Sequence, residues 1–118
     1  MNIPLKEAYV YRLQSGRCPF EKWLESLGDR RGRAKIRARI ARVRAGNLGN
    51  CRSVGGGVLE LKIDFGPGYR VYFGEAGPTI VILLCGGDKS TQREDIATAH
   101  RYWVDYWRRS HEAREKLS

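Results

Sequence analysis

No run of about 18 apolar residues occurs anywhere in the 118-residue chain, so no segment suits a membrane-spanning helix. The opening Met1-Asn2-Ile3-Pro4-Leu5-Lys6-Glu7 lacks the basic-then-apolar pattern of a secretory signal, and a cytoplasmic location is expected. Cysteine is scarce: Cys18, Cys51 and Cys85 are odd in number and form no CxxC pair, which argues against a disulfide frame or a zinc site. The two histidines, His100 and His111, stand apart from any cluster of metal-ligating residues. No nucleophile elbow, P-loop or dinucleotide fingerprint appears. Gly55-Gly56-Gly57 resembles a phosphate loop in composition alone, because no helix follows it, and reads as a turn. No metal and no cofactor are expected. Repeats, linkers and low-complexity stretches are missing too, and the length suits one core rather than two.

What is plentiful is positive charge. Lysine and arginine total 22 against 13 acids, a net of +9. The excess lies wholly in residues 1–59, with 13 basic and 4 acidic residues; residues 60–118 hold 9 of each. Between Arg30 and Arg44 there are eight cations (Arg30, Arg31, Arg33, Lys35, Arg37, Arg39, Arg42, Arg44) and no acid. Such a ridge attracts a polyanion, and its arginines favour oxyanions because the guanidinium fork binds them bidentately. A solvated helix face is the plainer alternative.

Two periods organise the chain. Ala8–Leu13 is rich in β-forming residues and is predicted to be a strand, ended by Ser15-Gly16. Pro19 suits the first turn of a helix carrying Phe20, Trp23, Leu24 and Leu27 on one stripe. Gly28 closes it, and Asp29 caps a second helix with Ile36, Ile40 and Val43 inward. The short connection predicts a helix hairpin. After a loop from Asn47 to Gly57 the period becomes two. Leu59, Leu61, Ile63 and Phe65 share one face of a strand, and Glu60, Lys62 and Asp64 the other. Gly66-Pro67-Gly68 turns the chain into Tyr69–Phe73, where Arg70 and Tyr72 join the polar set. Thr79–Cys85 is apolar on both faces and reads as a covered central strand. Thr91-Gln92-Arg93-Glu94 has the capping-box pattern and opens a last helix through Ile96, Ala99, Trp103 and Trp107. The expectation is one α+β domain over residues 1–109: a strand, a helix hairpin covering one face, a three-stranded antiparallel meander and a final helix. Residues 110–118 read as a polar, frayed tail.

One constellation on the meander has chemical sense. Lys62 and Arg70 point the same way from adjacent strands, beside Glu60, Asp64 and Tyr72, and Lys89 sits just past the third strand. In such a cationic pocket a 2′-hydroxyl can attack the neighbouring phosphate of RNA without metal, while cations stabilise the developing charge. Crowded cations favour a neutral lysine, so Lys62 or Lys89 is a candidate general base. Tyr72 is a candidate platform for stacking on a base.

The strings GPGYRVYF (residues 66–73) and LLCGGDKSTQ (residues 83–92) resemble the toxins of bacterial addiction modules. More narrowly, they are similar to the HigB-like addiction module killer branch of the RelE/ParE superfamily. The likeness runs from about Phe20 to Ala99 and implies a RelE-like fold. It implies a toxin of a type II toxin–antitoxin system, a ribosome-dependent endoribonuclease (mRNA interferase) that inhibits translation. The partners it implies are the ribosome, mRNA and a separate antitoxin, a helix-turn-helix, HigA-like protein; no membrane is involved. The arginine of the family's GYR turn falls on Arg70, as a ligand of the transition-state phosphate. A basic residue after the last strand falls on Lys89, and a strand lysine on Lys62. RelE uses a tyrosine near its C-terminus, where this chain has Ser90, Thr91 and Gln92 and no tyrosine before Tyr102; the His-containing motif of some HigB toxins is absent too. The general base therefore stays open. Because the ParE branch shares the fold and inhibits DNA gyrase without nuclease activity, a gyrase inhibitor and a non-toxic basic nucleic-acid- or protein-binding module remain alternatives.

Overall fold

The computed structural model describes the backbone of residues 5–117 and the side chains of residues 5–110. The elements run β1 (Glu7–Val10), α1 (Pro19–Ser26), α2 (Arg30–Arg44), β2 (Cys51–Ser53), β3 (Val58–Ile63), β4 (Tyr69–Gly77), β5 (Ile80–Gly87) and α3 (Gln92–Leu117), with a 3-10 turn at Lys89–Thr91 before α3. Local chemistry accounts for most of the boundaries. Pro19 occupies the first turn of α1, where its missing N–H is no loss. Asp29 caps α2 by accepting a 2.9 Å hydrogen bond from the Gly32 backbone N–H. Gly55, Gly56 and Gly57 all have positive φ, so the triple glycine is a turn. His100 Nε2, 3.0 Å from the Val54 and Gly55 carbonyl oxygens, ties that turn to α3.

The α+β class stands, with corrections to the sequence reading. The sheet is mixed rather than antiparallel. Its order is β1-β5-β4-β3-β2, and β1 runs parallel to β5. The first strand is also shorter than Ala8–Leu13, although the Tyr11 N–H still bonds the Leu83 carbonyl at 2.9 Å. A fifth strand, β2, pairs antiparallel with β3 where a loop was expected. Finally, Thr91 does not form a capping box with Glu94. Its hydroxyl donates to Asp95 at 2.6 Å, and Asp88 caps the preceding turn through the Ser90 N–H at 2.8 Å. The helix α3 continues to Leu117, across the segment read as a tail.

Each face of the sheet carries its own core. Phe20, Leu24, Ile36 and Val43 of the first two helices bury Leu61, Val71, Phe73 and Val81 on one face. Burying a side chain such as Ile36 completely contributes about 1.5–3 kcal/mol. On the other face α3 brings Ala99 and Trp103 against Tyr11, Val58, Tyr72, Ile82 and Leu84. The β4–β5 ladder slips between Tyr72, which pairs with Cys85, and Phe73, which pairs with Leu83. The extra residue sets Leu84 and Cys85 both against the α3 side. Past the slip, Gly86 and Gly87 are close approaches: a Cβ at Gly86 meets the Trp23 ring, and one at Gly87 meets the Asp95 carboxylate. No helix among the described residues is long and apolar enough to cross a membrane.

Candidate functional site

Strands β3 and β4 pair so that Lys62 stands opposite Arg70 and Glu60 opposite Tyr72. All four side chains therefore emerge on the α3 face. Because α3 begins at Gln92, its body covers the middle of that face and leaves the Lys62 end open. There a cleft of about 300 Å³ is lined by Asn50, Arg52, Glu60, Lys62, Arg70 and Gln92.

Glu60 organises the cleft. Its carboxylate, only 3 % exposed, accepts hydrogen bonds from Arg52 Nε (2.8 Å), the Tyr72 hydroxyl (2.9 Å) and Gln92 Nε2 (2.9 Å). Burial alone pushes its carboxyl up. The bonds from Arg52, Gln92 and Tyr72 outweigh burial, and Glu60 is held below the ordinary carboxylate value. Its lone pairs are thus engaged, and it positions its neighbours. Because a carboxylate only accepts, it turns the amide N of Gln92 toward itself.

Among the described residues Arg70 is the other buried charge, with a side chain 7 % exposed. One guanidinium nitrogen donates to the Gly68 carbonyl at 2.6 Å. Its Nε lies 3.8 Å from Glu60 Oε2 and has no hydrogen-bond partner among the described residues. At that distance the two buried charges form an ion pair without a hydrogen bond between them. Lys62, with a side chain 42 % exposed, reaches an outward Asp64 at 3.9 Å.

The candidates from sequence thus divide. Lys62 and Arg70 come together in one cleft. Lys89 lies outside the cleft lining, on the exposed turn before α3, packed near Gly68 and so beside the loop that holds Arg70. Tyr72 is a correction: it is 0 % exposed, its hydroxyl is committed to Glu60, and its ring cannot stack on an RNA base. The basic helix occupies Arg30–Arg44 as expected, but its cations are not equivalent. Arg33 bonds the Leu27 carbonyl, Arg39 the Leu48 carbonyl and Arg44 the Lys6 carbonyl, so these three fasten loops. Arg30, Arg31, Lys35, Arg37 and Arg42 are exposed. Among cysteines, burial and then the Asp95 charge push Cys85 up to about 12, which keeps it a thiol.

Sequence reasoning missed Arg52 and Asn50 because it read their segment as loop. A signal was present: Arg52 and Glu60 are spaced evenly about Gly56, as opposite charges across a hairpin should be.

No protein-family model matches the chain. Over 80 residues, which are 68 % of this chain and 81 % of the relative, it is 54 % identical to a protein of Haemophilus influenzae described as uncharacterized. The two proteins belong to one family. The relative's description names no activity, substrate or partner.

Proposed function

We propose that the protein is a RelE-like, HigB-type toxin of a type II toxin–antitoxin system, a metal-independent endoribonuclease that cuts mRNA on the ribosome. The observation that carries this reading is the Arg70 guanidinium, held beside the buried Glu60 carboxylate and lining a cleft shared with Lys62 and Arg52. A scissile phosphate seated there takes bidentate contact from Arg70 as charge builds on its oxygens. The 2′-oxygen attacks phosphorus and gives its proton to solvent, the bond to the 5′-oxygen breaks, and that oxygen takes a proton from solvent as it leaves, which gives a 2′,3′-cyclic phosphate between Arg70 and Lys62. Lys89 adds positive charge at the rim. The element order and the GPGYRVYF and LLCGGDKSTQ strings support the family; the latter supplies the glycines that let Trp23 and Asp95 close on the sheet. The exposed arginines of α2 suit ribosomal RNA. Such a nuclease needs a neutralising antitoxin, acidic where it covers the cleft or the basic helix.

Single-turnover cleavage on programmed ribosomes tests the reading. Arg70→Ala should lower the cleavage step about 10²–10³-fold, as removal of an oxyanion donor does, with ribosome affinity barely changed. Arg70→Lys should rescue little, and Lys62→Ala should slow the cleavage step with ribosome affinity barely changed. An Arg70→Ala protein that cuts at the wild-type rate sinks the assignment. Double-strand DNA breaks and an SOS response without codon-phased mRNA cuts would point to gyrase.

A further inference from the structure

A second cleft, of about 360 Å³, adjoins the first. It runs between α2 and the end of β3, where Lys35, Arg39 and Arg42 face Lys62 and Asn50. Asn50 and Lys62 line both clefts, so the two meet at a shared saddle. The saddle is built rather than incidental. The Lys62 backbone N–H donates to the Asn50 carbonyl at 3.0 Å. Arg39 donates to the Leu48 carbonyl at 3.3 Å, and Gly49, at φ +59°, presses so closely on the Arg39 guanidinium that any Cβ would strike it at 2.7 Å. The acids along this path are Glu60, buried and committed to Arg52, Tyr72 and Gln92, and Asp64, which is exposed.

We propose that the two clefts form one trough for an extended single-stranded nucleic acid. Its backbone phosphates lie against Lys35 and Arg42 on one side of the Asn50–Lys62 saddle and against Arg70 on the other. This rests on the reading that the Arg70 cleft takes RNA. A row of cations along a groove with amides at its floor follows a phosphodiester backbone. An acidic peptide would need apolar anchors to bind with comparable strength, and the Arg70 half of the trough has none. The basic helix is accordingly divided by function. Lys35 and Arg42 address the same strand as the cleft, whereas Arg37 turns toward Glu21 and Glu25 of α1 on another surface.

Fluorescence anisotropy with uncleavable 2′-O-methyl RNA, a dinucleotide and a hexanucleotide, tests the trough without ribosomes. The hexanucleotide should bind the wild-type protein more tightly than the dinucleotide. A Lys35→Gln/Arg42→Gln double variant should lose about tenfold for the hexanucleotide and little for the dinucleotide. Its salt slope should fall by about 1.4, at about 0.7 per single-strand phosphate contact. Arg17→Gln/Lys22→Gln removes the same charge from exposed positions on and before α1 and should leave the hexanucleotide nearly unaffected. Equal losses in the two double variants, or equal affinity for the two RNA lengths, would overturn the proposal. So would a hexaglutamate peptide that binds as tightly as the hexanucleotide. A protein that binds RNA in this length-dependent way yet cuts nothing on ribosomes would leave the trough standing and remove the nuclease reading.

Discussion

Between the sheet and the first two helices the buried layer is aliphatic and aromatic, and its one buried hydroxyl, that of Tyr69, reaches Asp29 at the cap of α2 at 2.8 Å. Between the sheet and α3, two charged side chains, Glu60 and Arg70, are buried together with the Tyr72 hydroxyl. The first face needs nothing beyond shape and apolar area. The second keeps its charges because the hydrogen bonds to Glu60 together offset its burial. Replacing such a group by a well-packed apolar one is often neutral or stabilising, whereas removing one partner is strongly destabilising. The contrast assigns work to the faces: one holds the fold together, and the other holds a charge ready for a ligand.

The largest expected effect breaks the polar face. Glu60→Ala leaves Arg70 buried without its nearest counter-charge and should cost about 3–5 kcal/mol at neutral pH. Urea unfolding measures this. The cost should also depend on pH. Glu60 is held below its ordinary 4.5, so its stabilisation is complete above that value and is lost as pH falls through the folded-state value. Asp29, lowered first by the Gly32 N–H, and Asp88, lowered first by the Ser90 hydroxyl, add to the overall acid limb. The difference between wild type and Glu60→Ala isolates the Glu60 part, and it should shrink below pH 4.5. A difference that stays constant there would mean the carboxylate charge is not what the face depends on.

Ile36→Ala is the counterpart on the apolar face. Ile36 is 0 % exposed, and its truncation should cost about 2–5 kcal/mol, depending on how far α2 settles into the space. Unlike the Glu60 cost, this one should be the same at pH 7 and at pH 4. Affinity for the uncleavable dinucleotide should hold, because Ile36 lies on the face opposite the Arg70 cleft. An Ile36 cost that titrated with Glu60 would show that the two faces are coupled through the sheet.

The apolar face was the legible one. The stripe of Phe20 and Leu24, and of Ile36 and Val43, states its own period, and Asp29 and Pro19 mark where the helices start. On the polar face, alternation placed Lys62 beside Arg70 and Glu60 beside Tyr72, because a turn joins the two strands and register follows from it. What covers that face was not legible. The docking of α3 is a long-range choice with no local mark, so Tyr72 read as exposed when Trp103 and Ala99 bury it. The same holds for the parallel pairing of β1 with β5, which spans most of the chain. β2 is three residues long and mostly exposed, too short for periodicity to register, and Arg52 was missed with it.

Tyr72→Phe is the mildest change and the one that discriminates most finely. The ring stays, so no cavity opens; only the 2.9 Å hydrogen bond to Glu60 is removed. Arg52 and Gln92 still serve the carboxylate, and the loss should be about 1.5–3 kcal/mol, the worth of a hydrogen bond to a charged group. With one donor fewer, Glu60 should move back toward its ordinary value, so the pH at which its stabilisation is lost should rise. Unfolding of the variant across pH 3 to 7 reads both effects. If the ring serves only the interior, the affinity for uncleavable RNA should not change. A loss of RNA affinity comparable to that of Arg70→Ala, with the protein still folded, would instead mean that α3 swings away to expose Tyr72. The polar face would then be an opening surface rather than a second core.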